Sequence, residues 1–259
     1  MTAVPTWVYD ILAPLLGVLI CTVMFLSPIV VVRKAIKNND LGDLNPLPWL
    51  AIVVNCFGWA LYGCMRRDYF VFWSNFPGFV CGVYYVVSAI KILTTQQERP
   101  TSIRQLKVIE GIFYGAFIFW GIVGMIAALV LGESTTQRET AAFLVGIICC
   151  VAAVTYYIAP LVAMFQIIRS RDSSSLYPPT LIANLLNATL WSIYGYAIHD
   201  PLIWVPNSIS LVLSIVQVIL CALFWPYDLK QLIKYKDSLL GNTPRSVSDD
   251  KLESKLNDS

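Results

Sequence analysis

Six side chains in this sequence pair polar and aromatic groups at a spacing that recurs. Asn55 stands four residues ahead of Trp59 in NCFGWALYG, and Asn187 stands four ahead of Trp191 in NATLWSIYG. Asn75 in SNFPG and Asn207 in VPNSI follow, once each. On a helix, residues i and i+4 share a face, so each Asn–Trp pair forms one stripe. An amide both donates and accepts hydrogen bonds, while an indole offers a flat apolar face with a single donor edge. Groups of this kind bind a solute; they do not break its bonds. No histidine, carboxylate and nucleophile fall within one plausible site, so enzyme chemistry is not expected. The seven cysteines lack zinc-ligand spacing and the loop-borne pattern of a disulfide framework, so neither metal nor cofactor is implied. Packing between helices suits them better.

What surrounds these residues is hydrocarbon-like. The 259 residues are 57% hydrophobic and only 13% charged, with a mean hydropathy of +0.67. Soluble domains carry roughly a quarter charged residues. Apolar runs long enough to cross a ~30 Å hydrocarbon core cover Trp7–Val32, Pro46–Met65, Tyr69–Leu93, Val108–Leu131, Ala141–Ile168, Leu176–Ile198 and Pro201–Trp225. The chain is therefore read as an all-α membrane protein with seven transmembrane helices. A membrane barrel would need alternation at period two, which these runs lack. The first run has no basic stretch ahead of it and outlasts a signal-peptide core, so it is read as a permanent span.

Within such a span an unpartnered amide costs about 2–7 kcal/mol. Two uses stay open for Asn75 and Asn207 on chemistry alone. They can join helices by hydrogen bonds, or they can line a substrate pathway. Trp59 and Trp191 likewise suit bundle packing, an interfacial anchor, or the wall of a site.

A shift of 132 residues lays the second part of the chain on the first without a gap. Pro28 meets Pro160, Lys37 meets Arg169 and Pro46 meets Pro178. Asn55 meets Asn187, Trp59 meets Trp191, and Tyr62-Gly63 meets Tyr194-Gly195. Asp68 meets Asp200, and Asn75 meets Asn207. The organisation is thus two three-helix repeats, residues 7–93 and 141–225, with residues 94–140 carrying a fourth, linking helix. Three spans end on the side opposite their start, so the linker restores direction and makes the two bundles parallel (3+1+3). Parallel repeats are related by an axis along the membrane normal, with the pathway between them.

Placing the amino terminus outside leaves Arg33, Lys34, Lys37, Lys91, Arg99, Arg104, Lys107, Arg169 and Arg171 in cytosolic loops. Only Arg66, Arg67 and Arg138 then face outward, as the positive-inside rule prefers. The net charge of +2 is this asymmetry and not a nucleic-acid patch. The polar stretch 226–259 is expected to be a disordered cytosolic tail.

The LSP of the first span, LPW…NCFGW…YG and SNFPG resemble the first half of a SWEET sugar transporter. APLVAMFQIIRSRDSSSLYPP, LNATLW…YG and HDPLIWVPN resemble the second half, so the likeness covers about residues 10–225. Parallel repeats are an arrangement already described for SWEETs. The resemblance implies that Asn75, Asn207, Trp59 and Trp191 hold the sugar, with Asn55 and Asn187 as groups orienting the site. It implies that Tyr62 and Asp200 close an extracellular gate. Asp68, the internal counterpart of Asp200, is read equally well as an exposed loop aspartate. Pro28, Pro48, Pro160 and Pro178 resemble the family's proline tetrad and are expected to act as hinges near the cytosolic gate. Pro178 and Pro179 compete for the fourth place. The resemblance also admits a homo-oligomer, in the lipid bilayer and most naturally in the plasma membrane.

No Asp, Glu, Lys or Arg lies deep in a span, and ion-coupled carriers need an ionisable group there. The expectation is a uniporter working by alternating access. Two bulky indoles flanking the pocket favour a hexose such as glucose over sucrose. A PQ-loop-type proton-coupled amino-acid carrier is the alternative; it would show Pro-Gln dipeptides and an embedded Asp, which Ser27-Pro28 and Ala159-Pro160-Leu161 do not supply. A seven-helix receptor needs no internal repeat.

Overall fold

The computed structural model describes residues 5–96, 100–130 and 134–225. The tail expected from residue 226 lies outside them. Among the described residues, eight α-helices follow a π-helical turn at Val8–Leu12. They are α1 (Ala13–Leu26), α2 (Ile29–Asn38), α3 (Leu47–Arg66), α4 (Tyr69–Thr95), α5 (Pro100–Val130), α6 (Thr135–Ser170), α7 (Pro178–Ala197) and α8 (Pro201–Leu223). The first expected span is two helices, because Pro28 has no N–H for the Met24 carbonyl. The Ser27 hydroxyl donates to that carbonyl instead, at 2.8 Å, and the Tyr85 hydroxyl donates to the next one, Phe25 O, at 2.8 Å. Helices α5 and α6 start earlier than expected, at Pro100 and Thr135. Once nucleated, a helix extends through polar turns at little cost.

Helix stops repeat as faithfully as the site residues. Asn39 and Arg171, 132 residues apart, both leave their helices in the left-handed region, as do Arg67 and His199. The next residue after each member of the second pair is a carboxylate that caps the following helix. Asp68 accepts from the Phe70 and Val71 amides at 3.0 Å each, and Asp200 accepts from the Leu202 amide at 3.1 Å. Such caps satisfy amides that have no partner within the helix.

Gly63 and Gly195 let these tight corners close. A Cβ on Gly63 would stand 2.6 Å from the Phe72 backbone nitrogen, and one on Gly195 would stand 2.7 Å from that of Trp204. This accounts for the second member of each Tyr-Gly pair.

Within the first half, α4 packs on both α1 and α3; within the second, α8 packs on both α6 and α7. The halves meet through α1 against α7 and α3 against α6, as a two-fold relation requires. The linker α5 breaks that symmetry by lying on α4 and α3, with a smaller contact to α6. Trp120 fastens it there. Its ring covers Gly58, and its indole N–H donates to the Val54 carbonyl at 3.0 Å.

The exterior is apolar: Val23, Val30, Leu129, Val151, Phe165 and Leu223 are all exposed. That inverts the habit of a soluble protein and suits hydrocarbon. Among the described residues, six helical segments are long and apolar enough to cross a membrane, α1 and α2 together counting as one. Helix α7 completes the seven. Its twenty residues carry no charge, but Asn184, Asn187, Thr180 and Thr189 lower its hydropathy. The helix least like lipid is the one holding the second Asn–Trp stripe.

Candidate functional site

The site lies between the halves, where α1, α3, α4, α7 and α8 converge. A cavity of about 170 Å³ there is lined by all six residues singled out from the sequence: Asn55, Trp59, Asn75, Asn187, Trp191 and Asn207. Cys21, Phe25, Val71, Ser74 and Ile203 complete it. No lining residue carries a formal charge.

Asn75 and Asn207 share one anchor, and Asn75 has a second, its Nδ2 donating also to Ser74 Oγ at 2.9 Å. The Asn75 Nδ2 donates to the Val71 carbonyl at 2.9 Å, and the Asn207 Nδ2 donates to the Ile203 carbonyl at 2.7 Å. Each amide thus ties its nitrogen to the turn below. Neither Oδ1 accepts a hydrogen bond among the described residues. Two carbonyl oxygens, one from each half, are left as acceptors on the cavity wall.

The indoles connect this cavity to one end of the molecule. Trp59 meets Tyr62 edge to face at 5.5 Å, and Trp191 meets Tyr194 the same way at 5.7 Å. Both tyrosines then reach across to the other half. The Tyr62 hydroxyl donates to Asp200 Oδ2 at 2.5 Å, and the Tyr194 hydroxyl donates to Asp68 Oδ2 at 2.8 Å. Each carboxylate therefore caps its own helix with one oxygen and holds the opposite half with the other. Asp68 is not a free loop aspartate. The two bonds differ in setting: Asp200 is only 4% exposed and has the Arg66 guanidinium 3.6 Å away, whereas Asp68 is half-buried.

Pro28 and Pro160 occupy equivalent positions but differ in effect. Pro28 separates α1 from α2, whereas α6 runs on through Pro160. Pro48 and Pro178 stand in the first turns of α3 and α7, where no helical hydrogen bond is lost. The sequence reading passed over two other prolines, Pro77 inside α4 and Pro206 inside α8. Each lies within two residues of a cavity asparagine, a proximity visible in SNFPG and VPN. The Leu202 carbonyl that Pro206 deprives of its donor accepts from the Cys150 thiol at 3.4 Å. Cys56, Cys149 and Cys221 are buried, and all seven cysteines are free.

The family model for "Sugar efflux transporter for intercellular exchange" matches the chain twice, at residues 13–97 and 143–231. The chain belongs to this family, the SWEETs. Among SWEET relatives, the bidirectional sugar transporter SWEET7 of Arabidopsis thaliana is 27% identical over 82% of this chain and 79% of its own length. The sugar transporter SWEET1 of Rattus norvegicus is 26% identical over 82% of this chain and 89% of its own. A eukaryotic SWEET transporter of known structure superimposes with a TM-score of 0.71 at 22% identity, over 84% of this chain and 98% of that one. The SWEET fold, two parallel three-helix bundles and a linker helix, is thus that of this chain.

Proposed function

We propose that this SWEET is a facilitative carrier of a hexose such as glucose, working by alternating access between its halves. The observation that carries this reading is the convergence of four amides and two indoles, half from each repeat, on one uncharged cavity. Amides match the hydroxyl rim of a pyranose, and indoles match its apolar C–H faces. A volume of about 170 Å³ lies below the ~300 Å³ at which sites for drug-sized ligands begin. That favours a monosaccharide over a disaccharide. The names of the relatives given above support transport of a sugar.

Asn75, Asn207, Trp59 and Trp191 hold the sugar in this reading, and Asn55 and Asn187 complete the wall. The crossed Tyr62–Asp200 and Tyr194–Asp68 bonds form a double latch on the extracellular side, with the amino terminus outside and the protein in the plasma membrane. The basic residues Arg33, Lys34, Lys37, Arg169 and Arg171 at the other end support that orientation. Pro28 and Pro160 serve as hinges at the cytosolic end, with Pro48 and Pro178 as rigid helix entries beside them. No acidic or basic side chain lines the cavity, which favours uniport over proton coupling.

The test is glucose flux through purified protein in liposomes, at external pH 5.5 and 7.5, with sucrose and a neutral amino acid as parallel solutes. The expected result is saturable glucose equilibration that is equal at both pH values. Steep proton dependence, or flux of the amino acid alone, would replace the reading with a proton-coupled amino-acid carrier.

A further inference from the structure

The two Asn–Trp stripes repeat in sequence, but their amides are not held alike. On the second-half side the Cys21 thiol of α1 donates to Asn187 Oδ1 at 3.0 Å. Both residues line the cavity. The position equivalent to Cys21 is Ala153 of α6, which has no side-chain donor. Asn55, the counterpart of Asn187, accordingly has no hydrogen-bond partner among the described residues. The neighbouring indole differs too. Trp191 is only 6% exposed and sits where a Cβ on Gly17 would come within 2.9 Å of its Nε1. The residue equivalent to Gly17 is Cys149, so Trp59 lacks such a notch.

A side-chain amide can present either its oxygen or its nitrogen to a ligand. The partner it already has decides which. Asn75 engages both N–H groups, on Val71 and Ser74, and Asn207 engages one, on Ile203; both present their oxygens. Asn187 spends its oxygen on Cys21 and presents its nitrogen. Asn55 spends neither. The geometry points to Cys21 as a positioning residue that engages the Asn187 oxygen and so turns the Asn187 nitrogen to the cavity as a donor, leaving Asn55 free to turn either way. Among the four amides, two then present oxygens, one a nitrogen and one either, a polarity that the repeated sequence conceals.

This inference rests on the sugar-carrier reading and sharpens it to individual hydroxyls. A hydroxyl facing the Oδ1 of Asn75 or Asn207 must donate. A hydroxyl facing Asn187 need only accept, so fluorine can stand in for it, whereas hydrogen cannot. The test is inhibition of glucose uptake into liposomes by paired monodeoxy and monodeoxyfluoro glucoses. It compares the parent protein with Cys21→Ala and Cys21→Ser at equal incorporated protein. In the parent, at least one ring position is expected to favour the fluoro over the deoxy sugar by about threefold to tenfold, the span of one hydrogen bond. Cys21→Ala removes that preference and raises the KM for glucose with little change in the maximal rate. Cys21→Ser, whose hydroxyl also donates, restores both.

No fluoro-over-deoxy preference at any position of a glucose-transporting parent would overturn the inference, as would a set of preferences left unchanged at every position by Cys21→Ala. A serine variant that behaves like the alanine variant would do so as well. A parent that moves no sugar at all would instead bring down the carrier reading itself.

Discussion

The two halves of this protein carry the same residues at the same register, yet they are held differently. Asn75 and Asn207 are near copies: each nitrogen bonds the carbonyl four residues back, and each oxygen is left to the cavity. The prolines and the latch are not copies. Pro28 ends a helix while Pro160 sits inside one, and Asp200 is buried beside Arg66 while Asp68 is half open. The cavity asparagines share the bond to their own helices, whereas the latch, made across the interface, diverges, and so does Pro28, whose break is filled by Ser27 and Tyr85 of its own half. Repetition in sequence repeats local geometry only where the partners repeat as well: the counterparts of Ser27 and Tyr85 are Ala159 and Gln217.

The sharpest test of that rule is the pair of corner glycines, where equivalence is expected to hold. Gly63→Ala and Gly195→Ala each drive a Cβ into backbone nitrogen, which cannot move aside as a side chain can. Both are expected to destabilise by about 3 kcal/mol or more, seen as loss of folded protein in a detergent thermal-unfolding series. A tolerant variant on one side alone would show that the corners are less alike than they look.

The indoles come next and are expected to differ. Trp191→Ala empties a buried site and is expected to cost about 3–5 kcal/mol. Trp59→Ala removes a half-buried ring and is expected to cost less. Both enlarge the cavity, so sucrose uptake is expected to appear in whichever variant remains folded. Unaltered selectivity in the folded variants would contradict the role given to the indoles.

The latch gives the smallest and most informative difference. Tyr62→Phe strips a hydrogen bond from a buried carboxylate, a loss of about 1.5–3 kcal/mol. Tyr194→Phe strips one from a carboxylate that water can reach, a loss of about 1 kcal/mol or less. Distances between spin labels at Arg67 and His199 measure the outcome. The open population is expected to rise at least about twofold further in Tyr62→Phe than in Tyr194→Phe. Equal shifts would mean that the burial of Asp200 has no energetic weight.

Much of this arrangement was legible before any coordinates. The 132-residue register placed the cavity asparagines and tryptophans on matching helices, and the Tyr-Gly pairs marked the corners. Asp68 was only half legible, because a capping aspartate beside a short turn reads like any loop residue until Tyr194 arrives from the other half. Pro77 and Pro206 escaped notice because they fall outside the repeat: their counterparts are Ile209 and Ser74. The choice of side by α5 hangs on Trp120 finding Gly58, and the bond from Cys21 to Asn187 joins residues 166 apart. Neither leaves a trace in local spacing.

Because Asp68 and Asp200 each keep one oxygen on a helix start, a parted tyrosine never strands a bare anion. The backbone amides go on solvating the charge while the other oxygen waits for water or for its phenol to return. In the alternating-access cycle proposed above, parting the latch would therefore break side-chain bonds while the caps on both helix starts stay made.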